Sequence, residues 1–239
     1  QREKNMVVLS NGERRYEVAD YTYWNKWLTP IFTSEDPDYN KNIVKESLRY
    51  YKSKDRTHVA PMIKGNLYES DFNFFKTAKR KNYKSLVKVE EFIKNQFKIC
   101  FLDYFRHHFP EDTSNKLDGV EEKDLDVDLR ESWIHISNDK GSWHGNHNHP
   151  MTSWGVIYYV KVDETGRENG GMNGFRQPYN TMYTDDGNFF QHDFSVFNIQ
   201  PINGTLVFFP ANLMHNATPY YGDEQRIVIA ANINVNFKR

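Results

Sequence analysis

The sequence predicts a mostly β protein of the α+β class, in which N-terminal helices pack against a β-core. Two observations lead to this prediction. Only two of the 13 glycines precede residue 119, so the first half of the chain is poor in tight turns. From residue 119 onward, turn residues separate short apolar runs, which is typical of a β-sandwich or barrel. We expect a single domain over 1–239, with a mainly helical N-terminal flank over 1–118 and the β-core over 119–239.

Helical periodicity is clearest over residues 85–105. Apolar residues recur there at steps of three and four and so share one helix face; they are Leu86, Val89, Ile93, Phe97, Cys100 and Tyr104. A similar pattern predicts a second helix over 40–52. The acidic stretch 118–130 ends in alternating apolar and acidic residues, which favours an exposed strand.

The remaining apolar runs predict the strands of the β-core. They cover 132–137, 154–161, 195–200, 204–209 and 225–235. Residues 163–194 contain five glycines and predict a long loop. Long loops in compact domains are often functional, so we interpret this segment as a candidate substrate lid.

Composition excludes several classes of protein. With 17 Phe, 15 Tyr and 5 Trp, the chain can bury a sizeable core and does not have a disordered composition. The net charge of −1 argues against a general nucleic-acid binder, and no apolar run is long enough to cross a membrane. The single cysteine, Cys100, cannot form an intrachain disulfide, which fits a reducing compartment. We expect a cytoplasmic protein.

Histidines are concentrated at the start of the β-core. Four of the nine fall within 15 residues: His135, His144, His147 and His149. On an extended strand, His147 and His149 would project to one face and His144 to the other. Neutral imidazoles side by side can share a metal ion, with His215 as the candidate third ligand. A turn, or surface histidines without a metal, would explain the same spacing.

Arg226 stands at the head of an apolar strand, eleven residues after His215. A buried guanidinium needs an anionic partner, because an unpaired buried charge is costly. That partner would be either a dicarboxylate co-substrate, which arginine can bind through two hydrogen bonds, or a protein carboxylate. Asp223, Glu224 and the acidic stretch are the candidates for such a salt bridge.

Taken in order, several short motifs resemble one family over residues 131–235. They are Trp133, His147-Asn148-His149-Pro150, Gly155-Val156-Ile157-Tyr158-Tyr159, Gly170-Gly171, Pro201-Ile202-Asn203-Gly204, Phe209-Pro210, His215 and Arg226. This pattern resembles the iron(II)- and 2-oxoglutarate-dependent oxygenases, in particular the prolyl-hydroxylase-like branch and its phage-type members. The resemblance implies a double-stranded β-helix, which is a jelly-roll, cupin-like core.

The resemblance also implies the cofactors and the roles of four residues. Fe(II) would bind His147 and His215, and 2-oxoglutarate would bind as co-substrate through its far carboxylate to Arg226. Tyr159 would face inward and donate its hydroxyl to the same carboxylate. The implied reaction is hydroxylation of a C–H bond by O₂, with release of succinate and CO₂.

The chain departs from the family pattern at residue 149. The family places Asp or Glu there, whereas this chain has His149. Three interpretations remain open: a three-histidine site, a two-histidine site completed by water or chloride, or a carboxylate supplied by Asp185, Asp186 or Asp193. We favour His149 as a ligand, because its i+2 spacing from His147 places both on one face.

The substrate remains undefined, and other functions stay open. Trp143, Trp154 and Arg176 are candidates for the substrate pocket, and the substrate would be a small molecule or a peptide. A cupin-like metalloenzyme that does not use 2-oxoglutarate is one alternative. A jelly-roll binding module without catalytic activity is another. The sequence does not define the oligomeric state.

Overall fold

Two facing β-sheets and a layer of helices make up the fold. The computed structural model describes residues 4–8, 14–18, 21–26, 29–53, 63–108, 117, 119–163, 169–176 and 196–238. Three α-helices lie within these residues: α1 (Lys41–Lys52), α2 (Phe74–Arg80) and α3 (Lys84–His108). No helix in this described part of the chain is long and apolar enough to span a membrane.

The strands before the acidic stretch come from the N-terminal flank. They are β1 (Lys4–Val8), β2 (Arg14–Val18), β3 (Tyr21–Lys26), β4 (Thr29–Glu35), β5 (Ile63–Lys64) and β6 (Leu67–Glu69). The later strands are β7 (Leu125–Ser137), β8 (Ser142–His147), β9 (Trp154–Lys161), β10 (Asn173–Arg176), β11 (Val196–Ile199), β12 (Thr205–Pro210), β13 (His215–Tyr220) and β14 (Arg226–Phe237). The early and late strands together form a large sheet in the order β1-β2-β3-β4-β12-β9-β14-β7-β6 and a small sheet in the order β11-β10-β13-β8-β5.

The large sheet separates two hydrophobic clusters, because successive side chains on a strand point to opposite faces. On β9, Trp154, Val156 and Tyr158 join the cluster shared with the helices. Ile157 and Tyr159 of the same strand join the cluster between the two sheets. The residues that lie between the sheets are those that surround the site described below.

The helices cover the outer face of the large sheet, as the periodicity predicts. All six apolar residues of the 85–105 pattern are buried in the cluster that joins the helices to the sheet. The second predicted helix is α1, and the alternating residues 125–129 are part of β7. Each of the five predicted strands is present, and β9 has the predicted bounds.

The N-terminal flank contributes more strand than the sequence indicates. No element was predicted before residue 40, yet β4 forms an antiparallel pair with β12 and extends the large sheet towards β1. Within the predicted loop 163–194, residues 173–176 form β10. These short segments lack a strong strand pattern of their own, and their pairing with distant strands stabilises them. The rest of that loop from residue 177 lies outside the described residues.

Candidate active site

Three histidines converge where β8 ends and β13 begins. His147 is the direct cross-strand partner of His215, and His149 follows two residues after β8. One ligand nitrogen from each of the three lies within 4.8 Å of the other two. The Nε2 atoms of His149 and His215 are 3.2 Å apart. Two nitrogens that bind one metal at about 2.1 Å in adjacent positions are about 3 Å apart, so this spacing fits a shared metal ion.

The hydrogen bonds of two of these rings fix the nitrogen that can bind a metal. His147 Nδ1 donates to the Gly145 carbonyl and His215 Nδ1 donates to the Leu213 carbonyl, each at 2.9 Å. A carbonyl oxygen only accepts, so each Nδ1 carries the hydrogen and each Nε2 has a free lone pair. Such orientation of a ligand ring by its second nitrogen is usual for metal-binding histidines.

The electrostatic environment keeps the three rings neutral. Burial lowers the pKa of His147, and burial together with the neighbouring histidines lowers the pKa of His149 to about 3. His215 is almost fully buried, and burial holds its pKa well below the usual value. Metal binding requires neutral imidazole, so at pH 7 the site presents its ligands in the form that binds a metal.

His144 lies on the same side as His147, contrary to the prediction that it would point away. The two rings have centroids 4.1 Å apart. The cause is a β-bulge: His147 pairs with His215 and His144 pairs with Ala217, so β8 has one more residue than β13 in this interval. An extra residue reverses which side of the sheet the following side chains point to, and counting odd and even positions in the sequence does not reveal the bulge.

A buried arginine lies on the inner face of the large sheet, at the start of β14. Arg226 is 4% exposed; its Nε donates to the Gly171 carbonyl at 3.1 Å and its Nη2 to Asn173 Oδ1 at 3.3 Å. The Tyr159 hydroxyl donates to the same Asn173 oxygen at 2.7 Å, and burial raises the pKa of that hydroxyl. These partners are neutral, so the guanidinium charge lacks a carboxylate partner among the described residues.

The salt bridge considered as an alternative for Arg226 does not form with its nearest candidates. Asp223 pairs with Lys140, and Glu224 pairs with Lys161. A small cavity of about 30 Å³ lies between the histidines and Arg226, and Val228 and Ala230 also line it. The arrangement therefore places an unpaired buried cation across a cavity from three potential metal ligands.

A glycine makes room for the arginine. Gly171 has a φ of +68°, and a Cβ at this position would lie 3.0 Å from both Cδ and Nε of Arg226. Only glycine adopts this backbone conformation without strain while allowing such a close approach. The Gly170-Gly171 pair thus has a structural role beside the candidate co-substrate pocket.

Two of the three residues predicted to line the substrate pocket, Trp143 and Trp154, do not line it. Trp154 does not line the site: it packs on the helix side of the sheet, 5.6 Å from Phe32 and 5.5 Å from Phe97 between ring centroids. Trp154 shares a face with Val156 and Tyr158, which point towards the helices, so the prediction that it lines the substrate pocket was wrong. Trp143 is exposed and does not line the described cavities.

Arg176 lies close to the histidines but remains exposed. Its Nε donates to Asn146 Oδ1 at 2.9 Å, next to His147 in sequence. Its neighbour on β10, Phe175, pairs directly with His215. The carboxylates proposed as alternative ligands, Asp185, Asp186 and Asp193, lie outside the described residues.

Sequence reasoning missed two functional features of the site. Asn173 joins Arg226 to Tyr159, but it lies in a segment that carries no strand pattern. Glu69 accepts a hydrogen bond from His135 Nε2 at 2.7 Å, and both are buried. The sequence groups His135 with the other histidines and so indicates that it lies near the site. Glu69 lies 66 residues earlier in the chain, and no sequence pattern connects it to the histidines.

A larger cavity adjoins the small one and shares His147 and His149 with it. Its volume is about 320 Å³, within the range of small-molecule sites. The residues that line it are Glu69, Phe72, Arg130, Glu131, Trp133, His144, His147, His149, Pro150, Met151, Thr152 and Asn232. His147 and His149 therefore border both cavities, and His215 borders the small cavity beside Arg226.

The part of the chain that carries the three histidines and Arg226 is similar to a known family of proteins. Residues 131–232 match the family model described as "Putative 2OG-Fe(II) oxygenase". The match covers 102 of the 239 residues, and over this segment the chain is similar to the iron(II)- and 2-oxoglutarate-dependent oxygenases. A comparison with curated proteins gave no match.

Solved structures of low sequence identity share the fold. A prolyl hydroxylase from Trichoplax adhaerens, in complex with a hypoxia inducible factor peptide fragment, aligns with a TM-score of 0.54 at 11% identity, over 84% of this chain and 82% of that one. AviO1 from Streptomyces viridochromogenes Tue57 aligns with a TM-score of 0.51 at 14% identity, over 84% and 88%. The alpha-ketoglutarate-dependent epimerase SnoN from nogalamycin biosynthesis aligns with a TM-score of 0.50 at 11% identity, over 87% and 80%. These similarities confirm the double-stranded β-helix fold.

Proposed function

We propose that the protein is a dioxygenase that hydroxylates a C–H bond of a small molecule or peptide and converts 2-oxoglutarate to succinate and CO₂. The observation that carries the proposal is the unpaired, buried guanidinium of Arg226 across a small cavity from three neutral histidines. A metalloenzyme without an anionic co-substrate would have no use for that charge. A binding module would need neither feature.

The three histidines fit an iron ion, and we propose that all three bind it. His147 and His215 present Nε2 lone pairs fixed by carbonyl hydrogen bonds, and His149 Nε2 lies 3.2 Å from His215 Nε2. Three neutral imidazoles leave the full +2 charge of Fe(II) uncompensated, which favours an anionic co-substrate. When bound, iron supplies the activation of O₂ that C–H hydroxylation requires.

The residues around the small cavity position the co-substrate. Arg226 provides guanidinium N–H groups for the far carboxylate of 2-oxoglutarate. The Tyr159 hydroxyl donates its one hydrogen to Asn173 and would have to turn towards that carboxylate to act as a further donor. Asn173 holds both donors in place through its side-chain oxygen. Val228 and Ala230 add an apolar wall, which limits water and strengthens the charge interaction.

Formation of succinate from 2-oxoglutarate tests this function. The chain, purified without oxygen and supplied with Fe(II), is expected to form succinate under air, and His215→Ala is expected to abolish it. A protein that binds metal but forms no succinate, and that 2-oxoglutarate does not stabilise, would contradict the proposal. We also propose a cytoplasmic location, since the single cysteine of the chain, Cys100, cannot form an intrachain disulfide.

A further inference from the structure

The face of β14 between the sheets joins the two cavities. Arg226, Val228, Ala230 and Asn232 alternate along the strand and so point to the same side. The first three line the small cavity, and Asn232 lines the large one. Six residues of strand span about 20 Å, so Asn232 lies far from the co-substrate arginine. The large cavity thus extends away from Arg226, and the two cavities adjoin at Trp133, His144, His147 and His149, which line both.

A β-bulge turns an acidic residue towards the large cavity. Asn232 pairs with Glu131 and Ile233 pairs with Leu129, so Arg130 is an extra residue in β7. After the bulge, Glu131 shares a face with Trp133 and His135. The Glu131 carboxylate accepts a hydrogen bond from Asn232 Nδ2 at 2.7 Å, which fixes its position at the cavity wall.

The same asparagine presents an unused acceptor. Asn232 is 6% exposed, and its Oδ1 atom is buried without a hydrogen-bond partner among the described residues. A buried acceptor left unpaired costs free energy, so it is normally satisfied by a ligand or water. Asn232 Oδ1 and the Glu131 carboxylate together offer acceptors at one end of the cavity.

The other walls also favour a cation. Glu69 is a second carboxylate, 2% exposed, and it accepts a hydrogen bond from His135. The Trp133 ring lies 5.6 Å from the His149 ring between centroids, so an aromatic surface borders the metal-binding histidines. Aromatic faces attract ammonium and guanidinium groups.

One basic residue lines the cavity and carries the opposite charge. Arg130 is exposed, and its Nη1 donates to the Met151 carbonyl at 3.2 Å rather than to Glu131. Water around an exposed guanidinium weakens its influence inside the cavity. Glu131 is exposed as well, but Asn232 fixes its carboxylate at the cavity wall, so Glu131 together with the buried Glu69 and Asn232 determines the chemistry of the ligand.

We propose that the large cavity binds a substrate that carries a protonated amine, with the ammonium held by Glu131 and Asn232 Oδ1. This inference rests on the proposed function, because it assigns the substrate class of the same site. The cavity volume of about 320 Å³ accommodates a lysine-sized group. The reacting carbon would then lie between the ammonium and the metal-binding histidines.

Calorimetric titration of the protein loaded with Zn(II) and 2-oxoglutarate tests this assignment without turnover. The probes are lysine and norleucine, each acetylated at the α-amine and methylamidated at the carboxyl group, so that they differ only in the ε-ammonium. The lysine probe is expected to bind about tenfold more tightly, because its ammonium makes charge-assisted hydrogen bonds that the norleucine probe lacks. Glu131→Gln should remove this preference.

The control is Asp126→Asn, which makes the same chemical change at an exposed carboxylate on the same strand, outside the cavity. It should leave the preference intact. Equal affinity of the two probes, or no binding of the lysine probe to a protein that does bind 2-oxoglutarate, would overturn the assignment. Failure of 2-oxoglutarate itself to bind would refute the proposed function, and this inference with it.

Discussion

His147 and His215 are direct cross-strand partners, one at the last residue of β8 and the other at the first residue of β13. Their backbone pairing holds two candidate ligands together before any metal binds. Each ring is fixed by a hydrogen bond from Nδ1 to a carbonyl two residues before it. The β-structure thus preorganises the metal site, and the third ligand comes from the segment that follows β8.

The role of His149 can be tested by its replacement. His149→Ala should weaken Co(II) or Zn(II) binding by about 10- to 100-fold, because it removes one of three protein ligands. His149→Asp should restore much of the affinity, since it recreates the ligand that the family places there. Calorimetric metal titration measures both. Unchanged affinity in His149→Ala would show that the metal binds through His147 and His215 alone.

Because Gly171 lies so close to Arg226, adding one methyl group at residue 171 should weaken the binding of 2-oxoglutarate. Gly171→Ala should raise the KM for 2-oxoglutarate at least about tenfold, because the new Cβ would displace the guanidinium stem. Gly119→Ala is the matched control: its φ is +72°, but a Cβ there meets nothing within 4 Å. Equal effects of the two substitutions would point to backbone strain alone and contradict the proposed contact.

The neutral histidines predict how stability depends on pH. Their pKa values in the folded chain lie below the value of about 6.5 expected when unfolded, and that of His149 falls to about 3. Between these values the unfolded chain binds protons that the folded chain does not, so the free energy of unfolding decreases as pH falls below about 6.5. Each such histidine contributes up to about 1.4 kcal/mol per pH unit.

Urea unfolding of the metal-free protein at pH 7.5, 6.5 and 5.5 measures this dependence. The variant His215→Asn should show a shallower decrease than the parent, because it lacks one buried histidine. Stability that stays constant between pH 7.5 and 5.5 would show that these histidines take up protons in the folded chain as they do in the unfolded chain, and would contradict the neutral site.

The sequence predicts the helices and the central strands well because each has a strong local pattern. The face from Leu86 to Tyr104 and the apolar run of β9 are examples. It does not predict β13, whose sequence HNATPY is polar and contains Pro219. That strand exists because it pairs with β8 and β10, and such long-range pairing leaves no local signal.

The candidate site was predictable only in part. Their spacing in the sequence predicts His147, His149, His215 and Arg226 as site residues, and the structure places these residues around adjoining cavities. Two bulges, in β8 and β7, determine where His144 and Glu131 point, so the usual alternation of side chains predicts the wrong face at both positions. Asn173, Glu69 and Asn232 reach the site through tertiary contacts, which no short motif encodes.

The most direct test of the account is the binding of 2-oxoglutarate to the metal-loaded protein and its dependence on Arg226. We expect 2-oxoglutarate to raise the Tm of the Zn(II)-loaded parent, and Arg226→Met to abolish this shift, because the buried guanidinium is the partner of the far carboxylate. Asp223→Asn, which breaks only the surface pair with Lys140, should retain the shift. Stabilisation by 2-oxoglutarate that persists in Arg226→Met, or that is absent from the parent, would contradict the central claim.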